Sequence, residues 1–99
     1  MPKIYYVDID GTICTNTDGS YNLAKPLYEN IERINKLYSE GNTVIYWTAR
    51  GSTTGTDWYE LTKKQLNHWQ VKYHDLKMGK PHYDYFICDK AINAEDYFD

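Results

Sequence analysis

Five residues of this chain have types and spacings that can do chemistry together: Asp8, Asp10, Thr48, Lys80 and Asp89. Asp8 and Asp10 close an apolar run, Lys3 to Ile9, and Gly11 follows them. Two residues apart on an extended chain, their side chains start out on the same side. Close carboxylates repel one another, and Asp89 would add a third negative charge. A hard divalent cation resolves that conflict. Magnesium takes oxygen ligands, commonly one or two carboxylates with phosphate oxygens and water. The cluster therefore reads as a site for Mg²⁺ and a phosphate group, with the Thr48 hydroxyl and the Lys80 ammonium available to hold phosphoryl oxygens.

The surrounding pattern predicts the elements that position these groups. Residues 3–9 are β-branched and aromatic and predict a strand. Their near-continuous apolar character suits burial on both faces, as in a parallel sheet. Residues 11–22 are rich in Gly, Thr, Asn, Asp and Ser and predict a loop. Pro26 suits a helix start, and Leu27, Ile31, Ile34 and Leu37 recur at helical spacing up to Gly41. Residues 43–47 predict a second strand, ending at Thr48. A helix over about 57–69 follows, with Asp57 and Glu60 resembling a capping box. Residues 71–76 predict a short third strand and 83–88 a fourth, ending at Asp89, with a helical turn near 92–97. Alternating strands and helices predict one α/β domain over residues 1–99, with a parallel sheet of about four strands, the first central. In such sheets ligands bind at the C-terminal strand edge, where Asp8, Asp10, Thr48 and Asp89 all fall.

Asp8-Ile9-Asp10-Gly11-Thr12 resembles the DxDGT signature of the haloacid dehalogenase (HAD) superfamily. Thr48, Lys80 and Asp89 are similar to its second, third and fourth motifs, in the same order. The resemblance implies a three-layer α/β/α, Rossmann-like fold. It also implies a Mg²⁺-dependent phosphomonoester hydrolase. Asp8 would attack phosphorus and become an aspartyl phosphate, and Asp10 would act as general acid and base. Thr48 and Lys80 would stabilise the transferring phosphoryl group. Gly11, Thr12 and Arg50 would lie at the substrate. Asp8, the Asp10 backbone carbonyl and Asp89 would hold Mg²⁺.

The fourth motif of that superfamily often carries two acids, and here Cys88 stands before Asp89. Asn93 is available as a neutral outer-shell group in place of the missing acid. Trp47-Thr48-Ala49-Arg50-Gly51 and Asp89-Lys90-Ala91-Ile92 resemble small phosphatases of capsule and surface-polysaccharide biosynthesis. That points to a sugar phosphate or a similar small ester. The short stretch between Asp10 and the first helix implies no cap domain. The site is then open unless a loop or a neighbouring copy in a homo-oligomer shields it.

Composition agrees with a globular domain: 99 residues, 41% hydrophobic and 25% charged. A net charge of -3 gives no basic footprint for nucleic acid. No apolar run reaches membrane-span length, and Cys14 and Cys88 form no disulfide framework, so a reducing, cytoplasmic setting is expected with no membrane partner. Taken singly, Thr48 and Lys80 read as a strand end and a solvated lysine; their joint order carries the argument. Two alternatives remain. A receiver-like phospho-Asp switch also uses Thr and a Lys-Pro pair, here Lys80-Pro81, but in a different order. A non-catalytic HAD-like binding module would be expected to lose some of the four polar groups.

Overall fold

The computed structural model describes residues 2–99. Three parallel strands form one sheet in the order β1 (Ile4–Val7), β2 (Thr43–Trp47) and β3 (Asp75–Lys77). The helix α1 (Tyr28–Ser39) joins β1 to β2, and α2 (Tyr59–His68) joins β2 to β3. A short helix, α3 (Ala94–Phe98), ends the chain. This is a small Rossmann-like parallel α/β fold.

Strand register shows why β1 and β2 alternate. Tyr5 pairs with Val44, Val7 with Tyr46, and Tyr46 with Leu76, so these residues share one face. That face meets Ile31 and Ile34 of α1 and Leu66 of α2 in a single core that also holds Ile9, Ile13 and Cys14. The opposite face carries Ile4, Tyr6, Ile45, Trp47 and Lys77. There Tyr6 meets Trp47 edge-on with ring centroids 6.0 Å apart, and Ile4 and Tyr6 are exposed. The expectation of burial on both faces is thus corrected. One helical layer covers one face, giving two layers rather than three. α3 joins that same layer, because the Arg33 guanidinium of α1 lies over the Tyr97 and Phe98 rings.

The expected fourth strand is also absent among the described residues, and β1 is an edge strand rather than the central one. Residues 83–88 have strand-forming side chains but no strand pairing; Ile87 is 98% exposed and Tyr85 88%. Connection length explains this. The Lys80 amide donates to the Thr48 carbonyl, which fixes it at the C-terminal edge of β2. Only Pro81 and His82 separate it from Tyr83, whereas a parallel crossover needs about a dozen residues or more. The propensity is present but the return path to the N-terminal edge is not.

Three element boundaries shift for local reasons. α1 begins at Tyr28 rather than Pro26, since Pro26 forms a bridge with Cys14. β3 begins at Asp75 rather than residue 71, because the chain leaving α2 turns through Gln70 at φ 59°. Asp57 accepts a hydrogen bond from the Tyr59 amide rather than forming a box with Glu60.

Candidate active site

The loop after β1 is anchored from below. Ile9 and Ile13 are fully buried, and the Thr12 and Ile13 amides both donate to the Ile9 carbonyl. Gly11 adopts φ 78°, the left-handed region that glycine enters without penalty. The Asn16 amide would also sit 2.8 Å from a Cβ there. This tight turn brings Asp8 and Asp10 to one side of a cavity of about 550 Å³. Thr48 and Arg50 reach the same cavity from the end of β2, and Lys80 from the end of β3.

Asp8 presents its carboxylate with 40% of the side chain exposed. One oxygen accepts from the Ile9 amide at 2.9 Å and the other lies 3.8 Å from Lys80 Nζ. Burial of the group pushes its carboxyl above the ordinary value, against the pull of the Lys80 charge. Thr48 is buried, and its oxygen accepts from the Arg50 amide at 3.2 Å. Its hydroxyl hydrogen therefore remains free to donate toward the cavity.

Arg50 takes a place the sequence did not suggest. It is 2% exposed, and its Nε and Nη2 donate to the two oxygens of Asp10, each at 2.9 Å. Its Nη1 donates to Thr62 Oγ1 and Gln65 Oε1 of α2, and the Tyr21 ring lies 4.8 Å from the guanidinium carbon. The planar guanidinium fork suits this two-oxygen grip. Arg50 is therefore committed to Asp10 and α2 and is not free to grip a substrate anion. The one legible hint was Thr62, a polar residue on the apolar side of α2. Gly51 secures the turn: at φ 81°, a Cβ there would collide with the Thr56 carbonyl.

Other sequence-predicted residues lie elsewhere. Gly11 and Thr12 shape the loop but do not line the cavity. Asp89 does not line it either, and among the described residues no three metal-ligating side chains are grouped to hold an ion. Asn93 caps α3 by accepting from the Glu95 amide. Cys14 is buried, and burial with the nearby Asp10 charge pushes its thiol up to about 12. It is an inert core group beside the site. Residues 16–21 were read only as loop, yet Asn16, Thr17, Asp18 and Tyr21 line the cavity.

No protein-family model matches this chain, and no curated protein does. The chain is similar in structure to an MCSG target from Vibrio cholerae known from its crystal structure. The TM-score is 0.83 and the identity 26%, over 99% of this chain and 88% of the other. The similarity supports the fold across nearly the whole chain.

Proposed function

We propose that this chain is a HAD-type, capless phosphomonoester hydrolase working through an aspartyl phosphate on Asp8. One observation carries the reading. Asp8, Asp10, Thr48 and Lys80 come from three segments far apart in sequence and meet at one cavity at the C-terminal sheet edge. Both oxygens of Asp8 are oriented, one by the Ile9 amide and one toward Lys80. In the first step an Asp8 oxygen bonds to phosphorus, the ester P–O bond breaks, and Asp10 gives its proton to the leaving oxygen. In the second step a water oxygen bonds to phosphorus as its proton passes to Asp10, the Asp8 O–P bond breaks, and inorganic phosphate leaves the restored carboxylate. The Thr48 hydroxyl and the Lys80 ammonium stabilise charge on the phosphoryl oxygens. Both Asp10 oxygens accept from Arg50 in the structure, so to hold and give a proton Asp10 would have to release one of these two bonds.

The donor chemistry suits Mg²⁺ in part. Asp8 offers a carboxylate, and Asp10 would add its backbone carbonyl. That suffices for an ion that keeps several waters. Asp89 would be the third donor. When bound, the ion supplies charge neutralisation at the phosphate. A sugar phosphate, of the kind used in surface-polysaccharide synthesis, is the substrate class favoured by the resemblance. The reading is tested by phosphate release from an aryl phosphate and a sugar-phosphate panel, with Mg²⁺ and with chelator. Release is expected to need Mg²⁺, and Asp8→Asn is expected to lower it by about 10³-fold or more. Asp8→Asn at wild-type rate would remove the mechanism. Burst labelling of Asp8 without turnover would instead point to a phospho-Asp switch.

A further inference from the structure

The cavity is larger than a phosphoryl group needs, and the lining beyond the reacting groups carries a different chemistry. At about 550 Å³ it is in the range of sites that enclose a whole small molecule. Asp8, Thr48 and Lys80 occupy the reacting end. The rest of the lining comes from Asn16, Thr17, Asp18 and Tyr21 of the loop after β1 and from His82 and Tyr83 just beyond Lys80. These offer amide, hydroxyl and ring groups, with one carboxylate.

Charge decides what this space accepts. The cationic side chains lining the cavity are Arg50 and Lys80. Arg50 is consumed by Asp10 through both oxygens. Lys80 faces Asp8, 3.8 Å away, where the reacting phosphate belongs. No guanidinium or ammonium is left for a second anion, and the lining presents Asp18 instead. A second phosphate or a carboxylate on the substrate would therefore lose its hydration and meet a like charge. A neutral hydroxylated group meets no such penalty, and the lining supplies polar side chains to bond it: Asn16, Tyr21, His82 and Tyr83. Tyr21 and Tyr83 add aromatic surface.

We infer that the 16–21 loop and the His82–Tyr83 segment form a leaving-group pocket for a neutral, polyhydroxylated moiety, and that Asp18 makes the site discriminate against a second anion. This rests on the hydrolase reading above and adds to it a charge rule and named residues. The reaction supplying this substrate would have to place a single phosphate on an otherwise uncharged polyol.

The test compares kcat/KM for matched pairs: a neutral sugar monophosphate against the same sugar carrying two phosphates or a carboxylate. A preference of about tenfold or more for the neutral member is expected, the scale of one close like charge near a surface. Asp18→Asn should narrow that ratio several-fold, and Asp18→Lys should narrow it further or reverse it. Asn16→Ala should raise KM for the sugar monophosphate more than for an aryl phosphate. Equal use of both members, or a ratio untouched by Asp18→Lys, would overturn the inference. Continued aryl phosphate hydrolysis in that case would leave the hydrolase reading standing. Absence of phosphate release from every substrate would overturn both.

Discussion

The two halves of the expected site behave differently in the fold. The half carried by the ends of β1, β2 and β3 is assembled. Asp8, Asp10, Thr48 and Lys80 share a cavity, and the residues beneath them, Ile9, Ile13 and Cys14, are fully buried. The half carried by residues 84–93 does not line that cavity. Its apolar side chains face solvent, and its acid, Asp89, does not line the cavity. The difference teaches that strand-like composition alone does not place a segment in a sheet. The strands that formed are those joined by full helical crossovers.

The sharpest way to probe the assembled half is to remove Arg50. Arg50→Met keeps bulk but leaves Asp10, Thr62 and Gln65 without their shared partner. Breaking a buried ion pair on one side costs about 3–5 kcal/mol. Urea denaturation should show a loss on that scale, and turnover should fall with it. Arg50→Lys should recover part of the stability and little of the rate, because an ammonium cannot reproduce the two-oxygen grip. A variant as stable as the wild type would mean that the network has no structural weight.

Paired truncations then contrast the two regions directly. Leu66 is fully buried, so Leu66→Ala should cost about 2–5 kcal/mol. Ile87 is exposed, so Ile87→Ala should stay within about 0.5 kcal/mol. A loss at Ile87 as large as that at Leu66 would show that residues 83–88 are buried in solution, against β1 or against another copy.

A smaller effect tests whether the outlying half nevertheless works. Few buried contacts hold residues 83–93, so moving them is cheap. Asp89→Asn is expected to leave the metal-free melting temperature unchanged and to raise the Mg²⁺ concentration for half-maximal turnover about tenfold. Hydrogen exchange over 83–93 should slow when Mg²⁺ is added to the wild type but not to the variant. An unchanged Mg²⁺ requirement would leave Asp8 and Asp10 as the only protein donors.

How much of this was legible follows from what each residue depends on. Residues 43–47 were read as a strand and form one, since their identity and flanking turns are local signals. Asp8, Asp10 and Thr48 were legible because each ends a segment whose type is local, and the C-terminal edge of a parallel sheet collects such ends; Lys80 was legible only through its order with the other three. The role of Arg50 was not. It depends on where α2 packs, and the sequence neighbours of Arg50 say nothing of Thr62 or Gln65. The fourth strand failed for the complementary reason. Its residues are suitable, but pairing depends on the path from Lys80, which residue types do not report. The one-sided sheet was missed because Ile4 and Tyr6 look apolar yet point to the uncovered face.

The smallest expected effect concerns the cost of keeping Asp8 ready. Burial raises its carboxyl above the ordinary 3.8, so the folded state binds that proton more tightly than the unfolded chain does. Between 3.8 and the raised value the native state therefore holds more protons, and stability falls as pH rises through that window. Above it the full penalty persists; below it the penalty disappears. Asp8→Asn keeps the acceptor for the Ile9 amide and removes the charge, at the expense of the Lys80 attraction. Because desolvation outweighs that attraction, the variant should melt higher than the wild type at neutral pH in chelator. The gain should shrink to nothing as the pH falls toward the ordinary carboxylate range. A variant that melts lower at neutral pH would reverse the balance, making Lys80 the dominant influence on Asp8. The same substitution that is expected to abolish turnover would then also weaken the fold, and the charge at Asp8 would be a structural contact rather than one held at a cost for chemistry.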